Sequence, residues 1–504
     1  MKKEEFDGRL LLVTTLFISI CSIVYELMIS SISTYLNGDS IKQFSITIGL
    51  YMSAMGIGSY LSKYVKKNLF LKFIGVEIFT GILGGFSAFL LFMVNIYTDI
   101  YDLIMYIIIL AIGILVGLEI PLLTRIIEEN DSNIRVNLAN IFTFDYIGGL
   151  VGSLAFPLLL FPKLGFVTTA FLVGTINICA ALLILVRYNK YIEKSKQAFS
   201  FAFIAFFILG FFLILGGKIT TEIEEGLYRD DVIYSEQTLY QKIVMTKHKD
   251  DLRLFLDGNI QFSSKDEYRY HEALVQIPFL YSENHKRVLI LGGGDGLAVR
   301  EVLKYEDVEE IVLVDIDPAM TELCSTDPQI IALNENALTN EKVTVLNEDG
   351  YQFVENNTEP FDVIIVDFPD PNTESLNKLY TNVFYNYVKA NLAPGGVVAV
   401  QSTSPYYATN SFWCIHKTIK TQFENVIPYH VQVPAFGDWG FNLAFNGERA
   451  RKELTVETKY LTEENMDGLF AFGKDEMAVL DTVEINAMFK PQLITYYNED
   501  VENW

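Results

Sequence analysis

The chain has 504 residues, 51% of them hydrophobic, a mean hydropathy of +0.27 and a formal net charge of −24. That length suits about three ordinary domains at roughly 150 residues each, while the hydropathy is too high for a purely soluble chain and the composition excludes disordered, collagen-like and disulfide-framework classes. Residues 1–218 carry 16 basic and 14 acidic side chains, leaving 22 and 48 for the rest, so the polar half repels phosphate and nucleic acid is excluded as a partner.

A membrane-crossing helix needs about 20 mainly apolar residues. Seven such runs are predicted, near Leu10–Ile29, Phe44–Leu61, Phe70–Val94, Tyr101–Leu123, Leu138–Phe161, Phe166–Val186 and Phe201–Leu215. Asp145, Gly148, Gly149, Gly152 and Pro157 interrupt the fifth. The first run exceeds a signal-peptide core and others follow it, so no cleavable signal is expected. The glycine patterns Gly56-x-Gly58, Gly81-x-x-Gly84-Gly85 and Gly148-Gly149-x-x-Gly152 read as close helix packing. Glu26, Glu77, Glu119 and Asp145 are costly in lipid and belong in a bundle interior, either as a cation-accommodating cavity or as satisfied structural groups.

Basic residues alternate between successive loops. They are dense at Lys2, Lys3 and Arg9, at Lys63, Lys66 and Lys67, at Arg125 and Arg135, and at Arg187, Lys190, Lys194 and Lys196; Lys42 and Lys163 stand alone between them. The N-terminus is therefore expected in the cytoplasm. Seven spans would put the polar half outside, whereas its chemistry calls for a cytoplasmic co-substrate. The expectation is a multi-pass cell-membrane protein in which either the span count is off by one and the polar half is cytoplasmic, the favoured reading, or the chemistry of that half is extracytoplasmic.

From Asp231 the pattern switches to period two, with short strands at Ile233–Ser235, Gln241–Met245 and Arg253–Leu256 and a hairpin signal at Asp257-Gly258. A helix starting near Lys265 carries Tyr270 and His271. The apolar strand Arg287–Leu291 then runs into Gly292-Gly293-Gly294-Asp295-Gly296 and a helix, and a second strand ends at Asp315. This βαβ unit, with a Gly-rich turn and an acid about 20 residues on, suits an adenosine ribose. Asp295 would face a pyrophosphate badly, which favours a cationic sulfonium nucleoside. Further strands end at Asn347-Glu348-Asp349-Gly350 and at Asp367-Phe368-Pro369-Asp370-Pro371, and another is expected at Val397–Gln401. Acids at carboxyl ends of parallel strands sit where such folds bind ligands. Cys21, Cys179, Cys324 and Cys414 form no CxxC pair and the five histidines no ligand spacing, so no metal is expected. The organisation read is a helical membrane domain over 1–218, a linker and small β domain over 219–282, and a Rossmann-like, methyltransferase-type α/β domain over 283–504 with a C-terminal extension.

From Tyr240 onward the chain resembles the spermidine synthase family of polyamine aminopropyltransferases. The resemblance runs through Tyr240-Gln241, Leu256-Asp257-Gly258, Asp266-Glu267, Tyr270-His271-Glu272, Val288–Gly296, Arg300–Lys304, Asp315-Ile316-Asp317, Asp349-Gly350 and Asp367-x-x-Asp370-Pro371. The multi-span half, with Asp367–Asn372, is similar to the membrane-anchored bacterial branch. The resemblance implies decarboxylated S-adenosylmethionine as co-substrate, no prosthetic group, putrescine or a similar amine as acceptor, and a homodimer among the expected assemblies. It also implies that Asp315 binds ribose, that Asp349 beside Gly350 binds the adenine amino group, and that Gln241 and Asp295 hold the aminopropyl arm over Gly292 and Gly294. Asp367 would deprotonate the amine, and Asp370 and Tyr270 would place it with His271 close by. Two features depart from the family: Asn372-Thr373-Glu374-Ser375 replaces a Gly-Pro-Ala run, and Phe436 stands where a tyrosine is usual. The rival readings are an S-adenosylmethionine-dependent amine N-methyltransferase and a polyamine transporter or sensor with a binding-only synthase-like domain.

Overall fold

The computed structural model describes residues 8–38, 40–130, 134–192, 194–228, 230–477 and 479–502; Lys2 and Lys3 lie outside them. It divides into two compact units, Met1–Val232 and Ile233–Trp504.

The first unit is helical: α1 Arg9–Asn37, α2 Ser40–Leu61, α3 Leu69–Tyr97, α4 Tyr101–Asn130, α5 Ile134–Ala155, α6 Phe161–Arg187 and α7 Ser195–Tyr228. Among the described residues six helical stretches, rather than seven, are long and apolar enough to cross a membrane, because α5 and α6 join into the 53-residue stretch Arg135–Arg187. At about 1.5 Å per residue it would measure roughly 80 Å if straight, more than twice the hydrocarbon thickness of a bilayer. It is not straight. Gly165 takes φ 67° and ψ −176°, a conformation that glycine adopts without steric cost, and Thr169 Oγ1 donates to the Leu160 carbonyl across the bend at 3.3 Å. Against α1, α5 runs parallel, with Ser19 bonded to the Asp145 carbonyl and Ile20 facing Gly152. In contrast, α6 runs antiparallel, with Cys21 at Val173 and Tyr35 at Phe166. The fifth and sixth expected runs are two antiparallel arms of one element. Helix α7 continues to Tyr228, so residues 219–228, expected as linker, are helical.

Glycines form the seams of this bundle. A Cβ on Gly58 would stand 2.1 Å from the Ile114 carbonyl oxygen, one on Gly117 2.2 Å from that of Met55, and one on Gly148 2.5 Å from that of Leu16. Gly56 has nothing within 4 Å and is no seam residue. Gly117→Ala forces α2 and α4 apart and is expected to cost about 1–3 kcal/mol. Thermal unfolding in detergent checks this, with Gly56→Ala as the unchanged control.

The second unit opens within β1 Asp231–Gln237, which forms a sheet with β2 Lys242–His248, β3 Asp251–Leu256 and β4 Asn259–Ser263 in that order. Asp257 and Gly258, both at positive φ, turn β3 into β4. Helix α8, Glu267–Tyr281, leads to seven further strands: β5 Arg287–Gly292, β6 Glu310–Asp315, β7 Val343–Asn347, β8 Phe361–Asp367, β9 Leu392–Gln401, β10 Asn425–Val433 and β11 Gly437–Phe445. Their order is β10-β11-β9-β8-β5-β6-β7. Strands β9 to β7 are parallel and the last two antiparallel, which is the expected methyltransferase-type α/β sheet. After β5 the chain moves first to β6 and later to β8 on the other side. A crevice therefore opens at the carboxyl end of β5, where doubly wound sheets hold their ligands.

Candidate active site

A crevice of about 610 Å³ opens there. It collects every predicted site residue: Gln241, Tyr270, His271, Gly292, Gly294, Asp295, Asp315, Asp349, Gly350, Asp367 and Asp370 all line it. Strand ends supply three of the acids, since β6, β7 and β8 terminate at or just before Asp315, Asp349 and Asp367. Asp295 comes from the turn after β5 and is held by the Leu297 N–H at 2.8 Å. The turn is as tight as its glycines allow. Gly292 sits at φ 82°, and a Cβ there would stand 2.1 Å from the Asp367 carbonyl oxygen; one on Gly294 would stand 2.5 Å from Asp315 Oδ2.

Asp315 accepts the N–H groups of Gly294 at 3.0 Å and Asp317 at 2.9 Å, which fixes its carboxylate at the crevice floor. Gln241 donates to Asp317 Oδ2 at 3.1 Å. Tyr270 donates its hydroxyl to Asp367 Oδ1. His271 Nδ1 lies 2.8 Å from the Glu267 carbonyl and 3.0 Å from its carboxylate, two acceptors that require a proton on that nitrogen. Glu267 is in turn clamped by Arg300 through two bonds of 2.9 Å.

Burial pushes Asp315, Asp367 and Asp370 each up to about 6 from the ordinary 3.8, and it raises Asp295 too. Burial opposes a charge on His271, but the hydrogen bond to Glu267 and the fields of Asp295 and Asp367 outweigh it and carry the imidazole up to about 9. Burial also disfavours a charged Glu267; His271 and Arg300 overcome it and hold that carboxyl near 2. Three carboxylates that ionise reluctantly in the protein alone mark a site short of positive charge, which a cationic ligand would supply.

Several residues that line the crevice or brace its acids escaped the sequence reading. Gln401 ends β9 and donates to the Phe368 carbonyl at 2.6 Å, a strand-end position like those of the acids and legible on that ground. Tyr497 reaches Asp370 Oδ2 at 3.0 Å from a helix at Leu493–Glu502, and Lys378 pairs with Asp349 at 2.7 Å. That pairing holds Asp349 below the ordinary carboxylate range although burial works against it. Neither Tyr497 nor Lys378 has a sequence signal. Elsewhere His430, Asp438 and Glu476 converge. His430 Nδ1 faces Asp438 at 2.8 Å and Nε2 faces the Ala471 carbonyl at 2.9 Å, and these acceptors raise the proton affinity of the imidazole although burial opposes its charge.

Residues 267–456 match the family model of the spermine/spermidine synthase domain. A polyamine aminopropyltransferase of Oceanobacillus iheyensis is 42% identical over 495 residues, covering 97% of this chain and 96% of that protein. One of Leptospira interrogans is 41% identical over 497 residues, covering 97% and 98%. The chain belongs to the polyamine aminopropyltransferase family. A spermidine synthase structure from Thermotoga maritima is 28% identical, covers 50% of this chain and 87% of that one, and superimposes with a TM-score of 0.46. In this aminopropyltransferase Phe436 packs edge-on against Trp439 at 4.9 Å and Tyr270 at 5.9 Å. One wall of the crevice is therefore aromatic and lacks a hydroxyl at that position.

Proposed function

We propose that the chain transfers the aminopropyl group of decarboxylated S-adenosylmethionine to putrescine or a similar amine and releases methylthioadenosine. The observation that carries this reading is the ring of acids around one sheet-edge crevice, three of them raised to about 6. In it Asp315 takes the ribose hydroxyls and Asp349 the adenine amino group, while Gly292, Gly294 and Gly350 let the nucleoside approach the backbone. Asp295 and Gln241 hold the cationic aminopropyl arm. Asp370 and Tyr270 place the acceptor, with His271 behind them.

The amine lone pair attacks the carbon beside the sulfonium. A C–N bond forms, the C–S pair returns to sulfur to give a neutral thioether, and Asp367 receives the proton lost by nitrogen. Because the leaving group departs uncharged, positioning and cation stabilisation are the main tasks. Purified full-length protein given labelled donor with putrescine, cadaverine, agmatine or spermidine should yield an aminopropylated amine and methylthioadenosine. A methylated amine formed from S-adenosylmethionine would instead make it a methyltransferase, and amine binding without turnover a sensor or transporter.

Two further outcomes follow from the acids. Asp295→Ile weakens use of the decarboxylated donor far more than binding of S-adenosylmethionine, whose carboxylate Asp295 repels; equal losses in paired titrations would remove that role. Because Asp367 and Asp370 are raised to about 6, kcat/KM falls as pH drops through about 6 and the base becomes neutral. A flat profile between pH 5 and 8 would contradict the assignment.

The long apolar helices support residence in the cell membrane as a multi-pass protein. The catalytic unit is read as cytoplasmic, since a doubly charged donor does not cross lipid unaided. A second reading, with that unit outside, is favoured by the fold-back at Gly165 together with the loop charges. A C-terminal alkaline phosphatase fusion decides: an inactive reporter supports the first and an active one the second. The family resemblance also supports a homodimer, which a native mass of one 57.2 kDa chain would contradict.

A further inference from the structure

The helical unit hides acids of its own. Glu77 on α3 is fully buried and Glu119 on α4 nearly so. The two lie within electrostatic reach of one another, and Asp145 on α5 lies within reach of Glu119. Asn177 on α6 donates Nδ2 to Glu77 Oε2 at 3.1 Å. Tyr25 on α1 is fully buried, feels both Glu77 and Glu119, and its hydroxyl has no hydrogen-bond partner. Gly84 lies against its ring, where a Cβ would stand 2.4 Å away, so the ring is pinned.

With both glutamates ionised, donors and acceptors do not balance in this cluster. Glu77 Oε1, Glu119 Oε1 and Asn177 Oδ1 are buried acceptors without a donor, while only the hydroxyls of Tyr25 and Thr80 stand unpartnered on the donor side. Among the described residues neither glutamate is in an ion pair. Arg125, on the same helix as Glu119, spends its guanidinium on the Ser62 and Val65 carbonyls at 2.7 Å each. Buried polar atoms are normally paired, and each exception calls for a cause; ionisable groups inside a membrane bundle mark paths for ions or substrates.

We propose that Glu77, Glu119, Asn177 and Tyr25 form a binding site for a primary alkylammonium group, the chemistry shared by the acceptor diamine and the product triamine of the second unit. Naming the amine a polyamine rests on the function proposed above; the cation site does not. An ammonium brings three donors and no acceptor, matching the three orphaned oxygens, and the pinned Tyr25 ring offers a cation–π face. A hard metal ion would ask for six or more oxygens, more than this set presents.

The test uses the full-length protein in lipid nanodiscs. Dicyclohexylcarbodiimide modification of Glu77 and Glu119 is followed by peptide mass spectrometry, with putrescine, spermidine or NaCl as protectant. Either amine at ten times its Kd should slow labelling about tenfold, and which amine protects better distinguishes substrate from product. No protection, or protection by Na⁺ alone, would overturn the proposal. In equilibrium dialysis the wild type should bind one more labelled spermidine per chain than a Glu77→Gln/Glu119→Gln variant that still transfers aminopropyl groups; equal stoichiometry would also overturn it. Absent protection with normal transfer sinks this site alone, whereas protection without any transfer sinks the enzymatic reading and leaves the cation site standing.

Discussion

Asp367→Asn is expected to slow aminopropyl transfer by about 10²–10⁴-fold, the usual contribution of a positioned base, while making the second unit harder to unfold. Asparagine keeps the size of the side chain and its acceptor oxygen for Tyr270 but cannot take the proton from the attacking amine. The stability gain follows from the sign of the shift. A carboxyl raised to about 6 stabilises the fold fully below the unfolded value of 3.8, and that contribution is lost as pH rises through about 6. At pH 7 the native state therefore carries a charge it would rather not hold. The displacement is worth at most about 3 kcal/mol, and solvent reaching Asp367 through the crevice reduces it to about 1–2 kcal/mol. Urea unfolding followed by tryptophan fluorescence reads this unit alone, because all three tryptophans, 413, 439 and 504, follow residue 232. Unchanged turnover would remove Asp367 from its role, and a large loss of stability would show that its charge supports the fold.

Arg300→Met should have the opposite character, costing about 3–5 kcal/mol, as breaking a buried ion pair does, and roughly 10 °C or more in thermal midpoint. The guanidinium grips both oxygens of Glu267 at 2.9 Å, the Leu333 carbonyl at 2.8 Å and Glu301 at 3.1 Å, and it is 6% exposed. Without it two glutamates face each other in the core. Arg300→Lys should recover little, since an ammonium cannot reproduce the planar fork. The damage reaches the crevice because Glu267 also holds His271, whose charge is felt by both Asp295 and Asp367. A lower proton affinity of His271, followed by NMR titration, is the signature that separates this from a general loss of stability. An unaltered titration would confine Arg300 to the fold.

These two side chains also show what the sequence can and cannot carry. Asp315, Asp349 and Asp367 were legible because each ends an apolar strand, and a parallel sheet brings all such ends to one edge. Gly292 and Gly294 were legible because their turn leaves no room for a Cβ. Tyr497 was not legible. It meets Asp370 across 127 residues, and nothing local in Leu493–Glu502 announces that contact. Lys378 on Asp349 is hidden for the same reason. In the helical unit the apolar runs were plain, but hydropathy alone could not show that Gly165 folds one element back on itself, nor that helix continues from 219 to 228.

The ring of acids is the centre of the proposed chemistry, and the most direct measurement is a crystal structure of the full chain with methylthioadenosine and putrescine. The nucleoside should lie on the turn Gly292–Asp295 with its ribose on Asp315 and its adenine at Asp349, and the amine nitrogen should sit within hydrogen-bond distance of Asp367. Nucleoside bound away from these acids, or an amine nitrogen out of reach of Asp367, would contradict the mechanism.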